Sequence, residues 1–205
     1  SCLVRDESKL PEEIRKRVRV LVGDSASTEL YSEQIRDADV VFHIAARADL
    51  GDGDAYRRDN VEFTDAMIRV ATQSKKLKRF VFTSTIGAVD RTKKDNCSKP
   101  LDAESIPNPL TDYGKSKLVC EQHLAASTLP YTIVRPTLVY GPAMRRQSHL
   151  RVFIDAVANR KPFVRFNFPG KVSLIQVHDL VEALILVSEH PKAVRQTYFA
   201  ADDEP

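Results

Sequence analysis

Short runs of apolar, often β-branched residues alternate with helical patterns along the whole chain, and this alternation constrains the fold more than any other feature. The runs expected to form strands are 2–4, 18–22, 40–44, 80–83, 132–134, 172–175 and 197–200. Strands that are apolar along their whole length are typical of a parallel sheet with helices on both faces. The alternation therefore predicts an α/β fold built on a doubly wound parallel sheet.

Helical periodicity is clearest in the stretches 54–73 and 178–189. The apolar residues that share one helix face are Phe63, Met67, Val70 and Ala71 in the first stretch, and Leu180, Ala183, Leu184 and Val187 in the second. A third helix is expected at 112–127. The irregular stretches 90–110 and 141–148 break the pattern, and long loops after parallel strands are common places for functional sites.

Composition and charge argue against several functional classes. The chain has 205 residues, a formal net charge of +3 and no Trp, which disfavours a nucleic-acid partner. No apolar run approaches the ~20 residues that a membrane span needs, so no membrane partner is expected. The three cysteines are odd in number and scattered. This usage predicts neither a metal site nor a disulfide framework, and it favours a reducing cytoplasm.

Tyr113 and Lys117 lie four residues apart in the predicted helix 112–127 and should project from the same face. A free tyrosine has a pKa of ~10, and a nearby ammonium lowers that value by favouring the phenolate. A Tyr/Lys pair is thus a workable general acid and base. The spacing alone is a weak signal, because it arises by chance in many helices.

The surroundings of the pair strengthen it. The strand that begins near Phe80 ends in three hydroxyl residues, Thr83, Ser84 and Thr85, and a second strand is followed by a proline-and-glycine turn within 135–142. These strand ends and the helix are expected to converge on one pocket. Ser84 and Thr85 face opposite sides of a strand, so only one of them can serve that pocket. The other reading of these hydroxyls is that they satisfy backbone groups at the strand end.

This order of motifs resembles the extended short-chain dehydrogenase/reductases, the NAD-dependent epimerase/dehydratase family that includes 3β-hydroxysteroid dehydrogenases and dihydroflavonol reductases. The resemblance implies a Rossmann-like fold in which Tyr113 exchanges the proton with the substrate oxygen. It implies that Lys117 holds the nicotinamide ribose and lowers the tyrosine pKa. It aligns Thr85 with the catalytic hydroxyl, with Ser84 as the close alternative, and Asn60 with a helix asparagine that supports the site and orients a water.

The same resemblance implies an NAD(P) site. The residues that it assigns to the cofactor are Arg5, Asp24, Ala45, Ala46, Pro136, Val139 and Lys117. Arg5 suits the 2′-phosphate of NADP, whereas the neighbouring Asp6 keeps NAD open. His43, on the strand before Ala45, is interpreted as a hydrogen-bonded core residue and not as a catalyst.

The sequence departs from the resemblance at its start, where the Gly-x-x-Gly-x-x-Gly turn that receives the pyrophosphate is absent. We therefore expect a sheet without its first strand. Either residues precede Ser1 in the natural protein or a second chain, as in a homodimer, fills the gap. The predicted division is a truncated NAD(P)-binding domain at 1–140 and a partial substrate-binding lobe at 141–205, with late strands returning to the sheet.

The substrate stays open between a nucleotide sugar and a small or steroid-like alcohol or ketone. Ala88-Val-Asp90 and Leu138 stand where the sugar-nucleotide enzymes of this group often carry Val-Tyr-Gly and Asn, which favours the reductases. The predicted activity is hydride transfer at a carbinol or carbonyl carbon, as an oxidoreductase or epimerase. The alternative is a non-catalytic NAD(P)-sensing or partner-binding module on the same fold.

Overall fold

The structure is a computed structural model that describes residues 1–24, 26–48, 53–90, 101, 105–142, 144, 148–161 and 172–203. Within these residues the strands are β1 (Cys2–Val4), β2 (Val20–Val22), β3 (Val40–His43), β4 (Arg79–Thr83), β5 (Tyr131–Pro136), β6 (Leu138–Tyr140), β7 (Leu174–Gln176) and β8 (Gln196–Ala200). The α-helices are α1 (Glu12–Arg15), α2 (Thr28–Asp37), α3 (Gly53–Tyr56), α4 (Phe63–Ala71), α5 (Asp112–Ala126), α6 (His149–Ala158) and α7 (Val177–Glu189). A π-helix (Arg57–Glu62) joins α3 to α4, and short 3₁₀ turns lie at Glu7–Lys9, Ile86–Val89 and Pro191–Ala193.

Every strand pair in the described part of the chain is parallel. The largest sheet has the order β3-β4-β5-β8, and β1-β2 and β6-β7 form two separate two-stranded sheets. β5 is buried along its whole length, and β4 is buried except at its last residue. This burial explains why both read as nearly continuous apolar runs, since strands in the middle of a parallel sheet face helices on both sides.

Helices cover the two faces of the four-stranded sheet. On one face, Phe80 and Phe82 of β4 pack in a core with side chains from α2, α4 and α5. On the other face, Val81 and Val134 pack against Leu180 and Leu184 of α7. Alternate residues of β4 therefore serve opposite cores, and the doubly wound α/β prediction is confirmed.

A buried arginine fixes α7 to the sheet. Arg79, at the start of β4, donates through Nη1 to the carbonyl of Val187 at 2.6 Å and to Oγ1 of Thr132 at 2.9 Å. Its Nη2 donates to the carbonyl of His190 at 3.1 Å. These carbonyls end the helix, where a cation is favoured by the helix dipole.

The β1-β2 pair is separated from the four-stranded sheet at the place where the first strand of the family would lie. β1 and β3 flank an inter-sheet groove of about 700 Å³, lined by apolar residues that include Leu3, Leu21, Val40 and Val41. Among the described strands, none lies in this groove. On the face away from α2 and α4, Val22, Phe42 and Ile44 are exposed. The region around β1 and β2 is therefore less enclosed than the four-stranded sheet.

Several predicted elements need correction. The helix expected at 54–73 is interrupted by the π-helix and ends at Ala71, and the strand expected at 18–22 begins only at Val20. The sequence analysis missed β6 and the helices α2 and α6. β6 is only three residues long, whereas α2 and α6 are amphipathic and were predictable from their periodicity. In the part of the chain that the structure describes, no helix combines the length and apolarity that a bilayer crossing requires.

Candidate functional site

A cavity of about 500 Å³ opens at the carboxyl ends of β1, β2 and β3. Its lining includes four residues that the sequence analysis assigned to a cofactor, namely Arg5, Asp24, Ala45 and Ala46. The small side chains after β3 leave room for a ligand to approach the backbone closely. Arg47 also lines the cavity, a residue that the sequence analysis did not single out. The carboxyl ends of parallel strands are where ligands bind in folds of this type.

The turn between β2 and α2 shapes one wall of this cavity. Asp24 accepts hydrogen bonds from the backbone N–H of Ala26 and from the hydroxyl of Ser27, both at 3.0 Å. A Cβ at Gly23 would lie 2.7 Å from Cδ2 of Leu30, so the turn packs too tightly for a side chain at that position. The Asp24 carboxylate thus orders the entry to α2 as well as lining the cavity.

Asn60 clamps the end of β3 to α5 from its place in the π-helix. Its Oδ1 accepts from the backbone N–H of Arg47 at 2.7 Å. Its Nδ2 donates to the carbonyl of Arg47 at 3.1 Å and to the hydroxyl of Ser116 at 3.0 Å. Both amide hydrogens are therefore used within the protein, which leaves neither to bind the water implied by the resemblance. π-Helical turns such as Arg57–Glu62 are often found at functional sites.

Tyr113 lies in the first turn of α5, which is fixed by a cap and by a close backbone approach. Thr111 caps the helix by accepting from the backbone N–H of Gly114 at 3.0 Å. A Cβ added at Gly114 would collide with the carbonyl oxygen of Gly87. The 3₁₀ turn that follows Thr85 therefore packs directly against the turn of α5 that carries Tyr113.

The expectation that Lys117 lowers the pKa of Tyr113 is wrong for this structure. Burial raises the pKa of Tyr113, and the neighbouring Tyr56 and Cys120 raise it further. The Tyr56 and Tyr113 rings lie 6.0 Å apart between centroids. At neutral pH Tyr113 is therefore a protonated phenol, the form that donates a proton.

Lys117 is directed into the core and away from solvent. Its side chain is 1% exposed, and Nζ sits 4.0 Å from the centroid of the Phe82 ring. Burial lowers the pKa of Lys117 to about 8, while Cys120 and Glu121 act in the opposite direction. The ammonium is stabilised by the ring face. Tyr113 and Lys117 thus lie in different environments, since Tyr113 packs beside Tyr56 and Lys117 lies over the Phe82 ring.

The two candidate hydroxyls separate as their strand geometry predicts. Ser84 is buried, and its hydroxyl donates to the carboxylate of Glu121. Thr85 is half-buried and caps the 3₁₀ turn by accepting from the backbone N–H of Gly87 at 3.2 Å. That bond uses the oxygen of Thr85 as acceptor, so its O–H stays able to donate. Thr85 is the better placed of the two for a pocket beside Tyr113.

The remaining predicted residues lie elsewhere. Pro136 ends β5 and pairs with Ala200, while Val139 of β6 packs in the α7 core. Neither lines the cavity that contains Arg5. His43 is 3% exposed, and its Nε2 contacts the hydroxyl of Thr64 at 2.9 Å, which confirms its interpretation as a core residue. Burial and the nearby Lys117 lower the pKa of His43 to about 3.

Sequence reasoning missed the buried residues that support the site. Tyr56 packs on Tyr113, while Glu121 pairs with Arg135 between α5 and β5. Glu121 is four residues after Lys117, so the two lie on the same helix face. Two charged residues at this spacing on a face expected to be buried could have indicated Glu121 from the sequence. Among the described residues, no cluster of three or more His, Cys, Asp or Glu side chains is arranged to hold a metal ion.

A parallel α/β fold with a small-residue cavity at its strand ends and a Tyr/Lys helix beside it defines a nucleotide-binding protein of the short-chain dehydrogenase/reductase type. The family model "NAD dependent epimerase/dehydratase family" matches residues 2–200. The chain therefore belongs to this family, as the resemblance predicted.

Curated relatives carry several activities. The chain is 30% identical over 191 residues to a UDP-glucose 4-epimerase of Vibrio cholerae, covering 88% of this chain and 57% of the relative. It is 26% identical to a 2-alkyl-3-oxoalkanoate reductase of Shewanella oneidensis, covering 92% of this chain and 52% of that protein. A dihydroflavonol 4-reductase of Hordeum vulgare is 23% identical, with coverages of 87% and 54%. The chain thus spans about half the length of these relatives.

Solved structures share the fold. The terminal R domain of the myxalamid PKS-NRPS pathway superposes with a TM-score of 0.79 at 21% identity, covering 99% of this chain and 58% of that one. A UDP-glucuronic acid 4-epimerase from Bacillus cereus, solved with UDP-glucuronic acid and NAD, gives a TM-score of 0.76 at 23% identity, with coverages of 94% and 62%. At these identities the likeness defines the fold alone.

Proposed function

We propose that this chain carries the proton-transfer half of an NAD(P)-dependent oxidoreductase or epimerase that acts at a carbinol or carbonyl carbon. The observation that carries the proposal is the packing of the Tyr113 turn of α5 against the turn that follows Thr85. This arrangement brings the helix turn that carries Tyr113 against the turn that Thr85 caps, which supports a phenol and a hydroxyl donor acting on one substrate oxygen. A non-catalytic binding module has no need of such a pair.

Tyr113 is the proposed general acid. Its phenol is protonated at neutral pH, the form that can donate to a developing alkoxide on the substrate, while burial raises its pKa and makes it a weaker acid than a free tyrosine. Thr85 is the proposed second donor to the same oxygen, because its O–H is not used by the bond to Gly87. We propose Thr85 and not Ser84 for this role, because the Ser84 hydroxyl donates its hydrogen bond to Glu121.

The cavity lining fits the adenosine end of a dinucleotide. Small residues at 45 and 46 allow close approach, and Arg5 supplies positive charge for phosphate, whereas Arg47 is already paired with Asp59 of the same lining at 2.6 Å. Bound NAD(P) would supply the hydride acceptor or donor. Arg5 would hold a 2′-phosphate, which makes NADP(H) the proposed preference over NAD(H). Lys117 is proposed to hold the nicotinamide ribose, for which its ammonium must turn away from the Phe82 ring, and Pro136 and Val139 are proposed to border the nicotinamide end.

The substrate is proposed to be a nucleotide sugar or a small ketone or alcohol, the two classes that the named relatives represent. We propose that residues 1–140 form the NAD(P)-binding part and that 141–205 belong to the substrate-binding lobe. β8 of the later part returns to the four-stranded sheet beside β5, as proposed for its late strands, and β7 pairs with β6 across the proposed boundary.

Replacement of Tyr113 by Phe tests the proposal in the full-length protein. Loss of a general acid lowers turnover by about 10²–10⁴-fold, and cofactor affinity should stay within a few-fold of the wild type. The assay follows nicotinamide absorbance with UDP-sugars and with small ketones, and fluorescence titration gives the affinities for NADPH and NADH. The same titration decides the phosphate preference proposed for Arg5.

Tyr140→Phe is the matched control, because it removes the same hydroxyl from a tyrosine whose partner is Asp202, at 3.2 Å. Turnover should be retained in this variant. If Tyr113→Phe also keeps full turnover, the catalytic proposal is wrong. If the wild type binds cofactor but turns over no member of either substrate class, a sensing module is favoured.

A further inference from the structure

A buried ion pair joins α5 to the strand ends beside the candidate site. Glu121 and Arg135 have side chains only 5% and 7% exposed. Oε1 of Glu121 accepts from Nε of Arg135 at 3.0 Å, and Oε2 accepts from Nη2 at 2.6 Å. The hydroxyl of Ser84 also donates to Oε1. Both carboxylate oxygens are thus filled by donors from two different strands.

Each member of this cluster is close in sequence to a candidate site residue. Ser84 precedes Thr85 at the end of β4, and Arg135 precedes Pro136 at the end of β5. Glu121 follows Lys117 by one helical turn. A buried ion pair is weak evidence for stability alone, because apolar residues of similar size often serve as well. The location of the pair therefore calls for a role beyond packing.

The environment of Lys117 suggests that role. From β3 it is faced by His43, which is neutral at pH 7 because its pKa is lowered to about 3. From its own helix it is faced by Cys120 and Glu121. Burial raises the pKa of the Cys120 thiol, so that group is uncharged at neutral pH. Glu121 then provides the negative charge among these neighbours, and its own charge is held in place by Arg135 of β5.

We propose that Glu121 is a positioning residue for the reaction assigned to Tyr113 and Lys117. Its carboxylate fastens α5 to the ends of β4 and β5 and keeps the ammonium of Lys117 charged, without contact to substrate. The inference rests on the proposed function for its catalytic consequence. The effect on Lys117 itself does not depend on turnover and can be measured separately.

The test is Glu121→Gln, which keeps the shape of the side chain and removes its charge. The titration of Lys117 is followed by the pH dependence of its chemical labelling, read by mass spectrometry. Removing a nearby negative charge disfavours the ammonium, so the midpoint should fall by about one pH unit, or tenfold in proton affinity. In the full-length protein, the alkaline limit of the kcat profile should fall with it, while KM changes less than about threefold.

Asp65→Asn is the matched control. Asp65 of α4 also binds α5, through Nδ1 of His123 at 2.7 Å, but on the exposed side of the helix. This variant should leave the Lys117 midpoint and the kcat profile unchanged. Glu121→Asp restores the charge and should recover part of the shift. If Glu121→Gln fails to fold, the double variant Glu121→Gln/Arg135→Met is measured in its place, and because it removes two opposite charges its Lys117 midpoint should fall by less than one pH unit.

An unchanged Lys117 midpoint in these Glu121 variants overturns the inference, as does an equal shift in Asp65→Asn. Failure of the proposed function gives a different pattern. In that case Tyr113→Phe keeps turnover or the wild type has none, and the labelling midpoint still reports on Glu121.

Discussion

The four-stranded sheet and the β1-β2 pair differ sharply in how firmly they are held. β4 and β5 are buried from both sides, whereas β1 and β2 are joined by three residue pairs and border the inter-sheet groove. The residues proposed for proton transfer lie on the enclosed side. Of the residues proposed for the adenosine end of the cofactor, Arg5 and Asp24 follow β1 and β2 on the less enclosed side. Ala45 and Ala46 follow β3 of the four-stranded sheet.

This difference implies that the two halves of the candidate site are held by largely separate contacts, with Asn60 as the link between Arg47 of the cavity and α5. The position of Tyr113 is set by Thr111, Gly114 and Asn60, and Lys117 by Phe82 and its neighbours on α5. The contacts of Arg5 and Asp24 are local to β1 and to the turn before α2. The turn that holds Asp24 can therefore shift without breaking the contacts that position Tyr113.

Hydrogen exchange should show the largest contrast between the two regions. Amides of β4 and β5 are expected to exchange only through global unfolding, whereas those of β1 and β2 exchange through local opening. Protection factors should differ by about 10⁴-fold, given ordinary domain stabilities. Exchange measured by mass spectrometry or NMR on the chain tests this. Equal protection in β1 and β4 would show that the groove does not divide the fold energetically.

Acid should destabilise the enclosed region through His43. Its folded pKa is about 3, below the ordinary histidine value of 6.5, so the unfolded state takes up a proton that the folded state resists. This contribution is fully present above pH 6.5 and is lost as the pH falls to 3. The loss amounts to about 5 kcal/mol at most.

Urea unfolding measured from pH 7 to pH 3 gives the change in the free energy of unfolding with pH. His43→Asn removes the titrating ring and keeps a polar group towards Thr64. Its stability should be lower at pH 7 but should change less across this range than that of the wild type. A parallel decline in both proteins would assign the acid effect to other groups.

The smallest effect is expected from glycine substitutions. Gly114→Ala introduces a Cβ that meets the backbone of Gly87, and overpacking of this kind costs about 1–3 kcal/mol. Gly53→Ala adds a Cβ with no neighbouring atom within 4 Å and should be neutral or stabilising by up to about 1 kcal/mol. Thermal unfolding compares the two variants. A neutral Gly114→Ala would mean that the first turn of α5 is less tightly set than its packing indicates.

Much of the fold was predictable from the sequence, because long apolar strands and strongly periodic helices are the elements that local pattern marks best. The strands β4 and β5 and the buried faces of α4 and α7 were predicted from alternation and spacing. α6 was missed although its sequence has the periodicity of an amphipathic helix, and in the structure Val152, Phe153, Ile154 and Val157 are largely exposed. β6 has only three residues and follows β5 after one residue.

The sequence by itself determined the α/β class and the family, and it predicted Tyr113, Lys117, Thr85 and Asn60 as site residues, since motif order depends only on residue identity and spacing. Only the tertiary structure decided what surrounds those residues. It separated Ser84 from Thr85, used both amide hydrogens of Asn60 within the protein, and reversed the expected pKa shift of Tyr113. The physical reason is that burial and partner charges come from residues distant in the chain, such as Tyr56, Phe82 and Arg135.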